Sequence, residues 1–274
     1  MTKCHLLLLC TALLLLGGCK HAGQGSSLSE YGSRSLAGQA ARFEQYVMEL
    51  AGLPLDEAMA RQEEMLTEAE GDSAQWQQTM TLQEKFFLDP NSPYRNEELY
   101  IPVVDHLLAS PHSTEAQRDR AGWLAPRVRL NRLGTVAADF PFRQPNGRTT
   151  TLHQAIDHRH PQQTLLFFSN PGCPNCKEIT EALAADPAVA EKIASGTLLV
   201  VNVYPDEDVQ AWLDYLPNYP DTWICGHDDE HILHSDTCYW LRAIPSLYLL
   251  DKEKRVVLKD APLEKILSAL TLPS

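Results

Sequence analysis

Two cysteines with two residues between them, Cys173 and Cys176, are the residues best suited to chemistry in this sequence. Thiols at this spacing can form a disulfide with little strain, supply half of a metal site, or act as a structural staple. Structural zinc sites typically combine two such pairs, and the sequence contains no second CxxC. The pair therefore favours redox chemistry over metal binding, and a structural disulfide is the remaining alternative.

The residues around the CxxC predict how the two thiols are placed. The apolar run 164–169 predicts a buried strand, and the Asn-Pro-Gly sequence at 170–172 predicts a tight turn. A helix that begins beside Cys173 directs free amide groups and the positive end of its dipole toward that sulfur, which favours a thiolate. Lys177 adds positive charge nearby. We expect Cys173 to be the nucleophile and Cys176, one turn into the helix, to be the resolving thiol.

The rest of residues 134–274 alternates between strand and helix patterns. The runs 164–169 and 197–204 are continuously apolar, as in central strands that are covered on both faces. Two short strands flank a turn at 144–147, and a hairpin is predicted to turn at 252–254. Helices are predicted from 176 to about 194 with a break near Pro187, over 207–217, and from Pro262 onward. This order predicts an α/β domain.

The preceding segment, residues 36–133, has a different period. Its apolar residues recur at spacings of three and four, which predicts an all-α helical domain. Asp72 or Ser73 is expected to cap one helix, and Ser113 or Thr114 another. No constellation of metal ligands or nucleophiles occurs in this segment, so its Met and Trp residues are interpreted as core.

The N-terminal residues predict export. A basic start, an apolar stretch too short to span a bilayer comfortably, and small residues before Cys19 form a signal-peptide pattern over residues 1–18. The sequence Leu-Gly-Gly-Cys at 16–19 resembles the lipobox of bacterial lipoproteins, which implies that Cys19 carries lipid and anchors the chain to a membrane. An ordinary signal peptide that is cut nearby is the alternative. Residues 19–35, rich in Gly and Ser, predict a flexible tether.

Composition excludes one class of partner. Acidic residues outnumber basic ones 36 to 23, which gives a formal charge of −13. No basic cluster suits a nucleic-acid backbone, so nucleic-acid binding is set aside. The acidic residues are spread along the chain and are interpreted as a solvated surface.

A known family shares several of these segments. The Ala-Ala-Asp-Phe entry strand at 137–140, the Cys-Pro-Asn-Cys motif at 173–176 and Ile244-Pro245 ahead of a strand resemble the TlpA-like thioredoxin-fold proteins over residues 134–272. The resemblance implies a thioredoxin-like fold and an envelope thiol:disulfide oxidoreductase. It also implies a cis peptide bond at Pro245 that faces the CxxC, with Ile244 and Pro245 holding the client backbone. Residues 36–133 resemble a domain of unknown function that precedes such modules in some Gram-negative lipoproteins.

The sequence departs from this family at the positions of the residues that transfer protons. Thioredoxin has a buried aspartate six residues before the first cysteine, and Phe167 stands at that position. TlpA-like reductases often carry a glutamate shortly after the second cysteine, and the matching residue is Ile179. Glu178 is the candidate for proton transfer, with an ordinary helix-surface role as the alternative.

A second region could also do chemistry, the segment 225–238. Cys225 and Cys238 could form a disulfide that closes a loop of about a dozen residues, or could be two separate buried thiols. A metal loop is the third interpretation, because His227, His231 and His234 lie between the cysteines. The spacing matches no common metal template, so no metal is assigned. Exchange of Cys238 with the CxxC is a further alternative.

Together these patterns predict dithiol–disulfide exchange on protein clients, with a reductase favoured over an oxidase. The exchange needs no organic cofactor, and the oxidised CxxC would be recharged by a membrane-linked electron donor. We expect the protein to face the periplasm of a Gram-negative envelope. A non-enzymatic scaffold and a thiol peroxidase are the alternatives. The peroxidase motif is absent, because Asn170 and Leu166 occupy its Thr/Ser and Pro positions before Cys173.

Overall fold

The computed structural model describes residues 36–271. The predicted signal peptide (1–18), the lipid-bearing Cys19 and the tether (19–35) lie outside the described residues. Two halves follow each other along the chain, first helices and then a mixed sheet with helices on both faces. This arrangement confirms the predicted fold class, an α/β domain preceded by an all-α domain.

The first half consists of helices joined by short loops. Its α-helices within the described chain are α1 (Leu36–Ala51), α2 (Leu55–Ala69), α3 (Ser73–Gln83), α4 (Glu97–Ala109) and α5 (Glu115–Val128), and a π-helical turn (Glu84–Leu88) extends α3. The predicted caps are confirmed. Asp72 accepts a hydrogen bond from the amide of Gln75 at 2.8 Å, and Thr114 forms a capping box with Gln117.

Aromatic and aliphatic side chains fill the centre of this helical half. Phe43, Trp76, Phe87 and Val104 belong to one buried cluster, which includes residues of all five helices and of the π-helical turn. The interpretation of Trp76 as a core residue is therefore confirmed, since it is fully buried. Trp123 differs, because about half of its surface is exposed.

The second half is built on a seven-stranded sheet. Its elements are β1 (Pro141–Arg143), β2 (Thr149–Thr151), α6 (Leu152–Arg159), β3 (Gln163–Phe168), α7 (Pro174–Ala185), α8 (Pro187–Ala194), β4 (Leu198–Tyr204), α9 (Val209–Tyr215), β5 (Ile224–His227), β6 (Ser246–Asp251), β7 (Val256–Leu258) and α10 (Leu263–Thr271). The strand order is β2-β1-β5-β4-β3-β6-β7. Strands β3, β4 and β5 are parallel, whereas β6 runs antiparallel to β3.

Two elements were not predicted from the sequence. Strand β5 lies in the segment that was interpreted as a loop, because the Cys-Gly-His sequence at 225–227 has no strand pattern. The glycine is required there, since a Cβ on Gly226 would lie 2.2 Å from the ring of Phe142 on the neighbouring strand. Helix α6 follows β2 directly and begins with a capping box between Thr151 and Gln154.

The sheet has two buried faces, and alternate residues of β3 point to opposite ones. The Phe168 face carries Leu166 and Phe168 and is covered in part by α6. The Phe167 face carries Leu165 and Phe167 and is covered by residues of α7, α8 and α10. Cys176 packs on the Phe167 face. Within residues 36–271, no helix is both long and apolar enough to cross a membrane.

Candidate active site

The first cysteine caps the helix that carries the second. Cys173 is the N-cap of α7, and its sulfur accepts a hydrogen bond from the amide of Cys176 at 3.2 Å. Pro174 occupies the first turn, where its missing N–H costs no intrahelical bond. Cys173 is half-buried, while Cys176 is only 3% exposed. The more accessible thiol therefore sits at the helix terminus, as predicted for a nucleophile, with the resolving thiol behind it.

The surroundings of the two thiols differ electrostatically. Burial is the main cause that raises the pKa of Cys176 above its ordinary value, and the hydrogen bond with Cys173 adds to this. Lys177 was expected to supply positive charge to Cys173, but its ammonium group lies 2.7 Å from Glu181 in an exposed ion pair. The helix terminus is thus the better-supported source of thiolate stabilisation at Cys173.

A polar turn holds the loop that leads into α7. The side-chain oxygen of Asn170 accepts from the amide of Gly172 at 2.9 Å, and its backbone oxygen accepts from the amide of Cys173 at 3.1 Å. The Asn170 side chain also donates to Asp206, which follows β4. These bonds tie the CxxC loop to the ends of two parallel strands.

The predicted client-binding residues lie against Cys173. The Ile244–Pro245 peptide bond is cis, the isomer that the family resemblance implies. The carbonyl oxygen of Ile244 is 3.8 Å from the sulfur of Cys173. Residues separated by about seventy positions in the chain therefore meet at one thiol.

A buried cluster of charged side chains holds the loop that contains Pro245. Arg242 lies 3.1 Å from Glu97 of α4 and 2.8 Å from Asp260, and it donates to the backbone oxygen of Leu88. Asp260 in turn accepts a hydrogen bond from Ser246 at 2.8 Å, just beyond Pro245. The helical half thus contacts Arg242 directly, whereas Ser246 is held by Asp260, a residue of the second half.

The carboxylate of Glu97 has a second buried cation as its partner, Lys259. Lys259 forms an ion pair with Glu97 and also donates to the backbone oxygen of Val128 at 3.2 Å. The side chains of Glu97, Arg242 and Lys259 are 3%, 6% and 6% exposed, so the cluster lies almost completely out of water. Sequence reasoning missed it, because Glu97 resembles any acidic residue in the first turn of a helix.

Glu178 is the candidate for proton transfer. Its side chain is exposed on α7, and no hydrogen bond within residues 36–271 joins it to either cysteine. This position corresponds to the alternative, helix-surface role. A buried hydrogen-bonded chain lies elsewhere in this half: Asn202 donates to Ser169, whose hydroxyl is 2.9 Å from that of Tyr219, and Tyr219 belongs to the same buried cluster as Cys176.

Of the alternatives for Cys225 and Cys238, the disulfide is not formed in this structure. Both are free thiols, and they lie on opposite faces of the sheet. Cys225 packs on the Phe167 face, where burial raises its pKa to about 12, and Cys238 packs on the Phe168 face. A residue of a strand cannot reach through the sheet, so the disulfide would need β5 to move. The alternative of two separate thiols describes the structure, and both thiols are half-buried.

The histidines of this segment have separate environments. The ring of His227 packs on Trp212 with 4.9 Å between ring centroids, and His234 donates to the backbone oxygen of Pro205 at 2.7 Å. Residues 36–271 contain no group of three or more His, Cys, Asp or Glu residues placed to hold a metal ion. The structure therefore gives no support to the metal-loop interpretation.

Comparisons with known proteins address the two halves differently. Residues 37–129 match a family model described as a domain of unknown function, DUF5106. No curated protein is significantly similar to the sequence. The C-terminal domain of an uncharacterized protein from Bacteroides fragilis is 41% identical, with a TM-score of 0.48 over 52% of this chain and 99% of that one. The thioredoxin domain of a thiol-disulfide oxidoreductase from Bacteroides vulgatus is 17% identical, with a TM-score of 0.42 over 51% of this chain and 99% of that one.

One solved structure spans both halves. A thioredoxin-like protein from Bacteroides caccae is 32% identical to this chain, with a TM-score of 0.82, and the match covers 90% of this chain and 88% of that one. A similarity of this extent includes the helical half, the sheet and the CxxC loop together. The chain therefore belongs to the thioredoxin-like proteins, with a DUF5106 domain ahead of the thioredoxin-like fold.

Proposed function

We propose that this protein is a thiol:disulfide oxidoreductase that acts on disulfides of other proteins. The observation that carries the proposal is the arrangement of Cys173: an accessible thiol at a helix N-terminus, one turn from a buried partner thiol and 3.8 Å from the carbonyl oxygen of Ile244. Membership of the thioredoxin-like family supports a redox role in general terms.

The reaction uses the two thiols alone. The Cys173 thiolate attacks a sulfur of the client disulfide, a Cys173–client disulfide forms, and the other client sulfur leaves as a thiolate that takes up a proton. Cys176 then attacks Cys173, loses its proton and releases the second client sulfur as a thiol. Two electrons pass to the client, and the CxxC is left as a disulfide. The edge at Ile244 and Pro245 is the proposed site for the client backbone.

The finer assignments are part of the same proposal. We propose the reductase direction, because the Pro-Asn dipeptide between the cysteines lacks the imidazole that stabilises the thiolate in strongly oxidising sites. A TlpA-like subtype, a lipid anchor at Cys19, a periplasm-facing location and a membrane-linked electron donor are proposed from the sequence. An even number of cysteines after the lipidated one is compatible with an oxidising compartment.

The reduction potential of the Cys173–Cys176 couple tests the proposal. The protein is equilibrated in thiol buffers of known potential, and mass spectrometry follows each cysteine, with the Cys173→Ser, Cys176→Ser variant as the control. A reversible couple near about −270 mV supports a reductase, and a value near about −120 mV reverses the direction. A protein without a reversible couple between these two thiols leaves the non-enzymatic scaffold as the better explanation.

A further inference from the structure

The carboxylate of Asp260 binds residues on both sides of the client-binding edge, which is formed by Ile244 and Pro245. One of its oxygens accepts a hydrogen bond from the hydroxyl of Ser246 at 2.8 Å, and the other lies 2.8 Å from the guanidinium of Arg242. Arg242 comes two residues before Ile244. Ser246 directly follows Pro245. A single side chain therefore joins the residues before and after the edge.

A third partner of this carboxylate comes from the helical half. Arg95, in the loop that precedes α4, lies 3.3 Å from the oxygen that also binds Arg242. The side chains of Arg95, Arg242 and Asp260 are 14%, 6% and 13% exposed, so water has little access to these contacts. Hydrogen bonds between ionised groups are stronger than neutral ones, and a low local dielectric strengthens them further. Asp260 is thus held from both halves of the chain.

The backbone at Asp260 is also tied to the start of β6. Its φ is +43°, in the left-handed region that few residues other than Gly, Asn and Asp adopt. The following amide, that of Ala261, donates to the carbonyl oxygen of Leu247 at 3.0 Å. Strained backbone of this kind persists only where the surrounding contacts fix it. Main chain and side chain of the segment 260–261 therefore both bind the first residues of β6.

This constraint extends to the nucleophile. Ser246 pairs with Phe168, the last residue of β3, and the loop that follows β3 leads to Cys173. The carbonyl oxygen of Ile244 lies 3.8 Å from the Cys173 sulfur. A shift of the segment that contains Ile244 would therefore change the distance between a bound client backbone and the attacking sulfur. A misplacement of about 1 Å can slow a reaction about a hundredfold.

We propose that Asp260 is a positioning residue for the first step of the dithiol exchange. Its bonds to Arg242 and Ser246 hold the client-binding edge beside the Cys173 sulfur, so that a client disulfide meets the thiolate at the distance that attack requires. Asp260 acts through these neighbours, and it matters only for disulfides whose flanking backbone lies on the edge. The helical half takes part through Arg95. This inference rests on the proposed function, because the edge has no role without a client.

Two probes with the same reactive disulfide test this role. In both, a cysteine is disulfide-linked to 2-nitro-5-thiobenzoate. In one probe the cysteine lies in the middle of a short peptide, and in the other it is N-acetylcysteine amide, which has no flanking residues. Attack of Cys173 on the cysteine sulfur forms the mixed disulfide and releases the nitrothiobenzoate anion, whose absorbance gives the rate of the first step.

The full-length reduced protein is used, and the rate of the Cys173→Ser, Cys176→Ser variant is subtracted to remove reactions of the other cysteines. Asp251→Asn is the matched control for Asp260→Asn. The Asp251 carboxylate also accepts two hydrogen bonds, from the amides of Glu253 and Arg255, but it lies at the other end of β6. Both variants lose one carboxylate that fixes an end of the same strand, and only one of these ends adjoins the edge.

Wild type should react faster with the peptide than with N-acetylcysteine amide. Asp260→Asn keeps the shape of the side chain but removes its charge, and it should slow the peptide reaction about tenfold or more through misplacement of the edge. The reaction of the small probe should keep its rate, and Asp251→Asn should behave as wild type with both probes.

Two results with Asp260→Asn overturn the inference. One is a peptide preference equal to that of wild type. The other is an equal slowing of both probes, which would mean that the carboxylate acts on Cys173 itself. A wild-type protein without a peptide preference overturns the proposed client site, and the inference with it. Nitrothiobenzoate release no faster than that of the double-cysteine variant overturns the proposed function as a whole.

Two milder variants keep the test independent of the folding of Asp260→Asn. Ser246→Ala removes one neutral donor to Asp260 and leaves the ion pairs in place, and Arg95→Gln removes the contact from the helical half. Each should slow the peptide reaction selectively, by a smaller factor than Asp260→Asn. If Asp260→Asn does not fold, wild-type rates of both milder variants with the peptide overturn the inference.

Discussion

The sulfur of Cys173 is held by backbone groups on two sides. The amide of Cys176 donates to it at 3.2 Å, and the carbonyl of Ile244 lies 3.8 Å away. The amide of Cys176 can donate to a thiolate, and the carbonyl of Ile244 can accept from a thiol. Both protonation states of Cys173 therefore have a partner. Cys176 is almost completely buried, and burial raises its pKa. The different roles of the nucleophile and the resolving thiol therefore follow from their positions on the helix.

Thiol alkylation should reveal this difference at each residue. With iodoacetamide at pH 8, we expect Cys173 of the reduced protein to react at least about a hundredfold faster than Cys225, because the thiolate is the reactive form. The pKa of Cys225 is raised to about 12 by burial, so almost none of it is ionised. Mass spectrometry of timed samples measures both rates, and denatured protein is the control. Equal rates in the native protein would contradict the predicted site.

At the scale of elements, the N-terminus of α4 and the loop before β6 form one electrostatic unit. Glu97 supplies the carboxylate, while Arg242 and Lys259 supply two cations from the second half of the chain. Removing one member of a buried ion pair leaves a charge without compensation, which is costly. The position of Pro245 thus depends on a helix that lies in the other half of the molecule.

Glu97→Gln should lower the free energy of unfolding by about 3–5 kcal/mol, because Lys259 stays buried without a counter-charge and Arg242 keeps only Asp260 as its partner. Urea unfolding measures the change. Glu84→Gln is the matched control, since Glu84 pairs with Arg120 at 2.5 Å on the exposed surface. An exposed pair contributes at most about 1 kcal/mol. Equal effects of the two variants would mean that the buried cluster does not stabilise the fold.

Strand β5 ends in a buried histidine with a predictable response to acid. Burial is the main cause that lowers the pKa of His227 below 6.5, and Asp229 opposes it. The unfolded chain then binds more protons than the native protein as the pH falls through about 6.5, so stability falls with decreasing pH. The contribution of the neutral His227 ring to stability is fully present above about pH 6.5 and is lost as the pH falls below it.

His227→Gln should therefore lose less stability than wild type between pH 7.5 and pH 5.5. Thermal unfolding at a series of pH values measures this, with His158→Gln as the control, because His158 is exposed on α6. A variant that keeps the full acid sensitivity of wild type would place the titrating group elsewhere.

At the scale of the whole molecule, the acidic surface sets a general preference among clients. The formal charge of −13 is spread along the chain, so the protein as a whole repels anions. We expect a basic disulfide peptide to be reduced faster than an acidic one of the same length at low salt.

The difference between the reduction rates of the two peptides should shrink as the salt concentration rises from about 10 mM to about 150 mM, because the Debye length falls from about 30 Å to about 8 Å. Initial rates of peptide reduction, followed by thiol release, measure it. A preference for the acidic peptide, or one that salt does not change, would indicate specific contacts near Cys173 in place of a general field.

The sequence by itself determined the features that depend on near neighbours. The CxxC spacing, the apolar runs of β3 and β4, and the caps at Asp72 and Thr114 act within a few residues, so periodicity and turn chemistry predict them. The fold class followed from the order of these elements. The family resemblance predicted in addition that Pro245 faces the CxxC.

Only the tertiary structure decided the features that depend on distant residues. Glu97 meets Arg242, and Ser169 joins Asn202 to Tyr219, across dozens of positions that carry no local pattern. The sequence left open whether Cys225 pairs with Cys238, because spacing along the chain does not reveal that β5 places its thiol on the opposite face of the sheet. Burial, face and charge pairing arise when the elements pack, and they decide which of the polar residues can act on the two thiols.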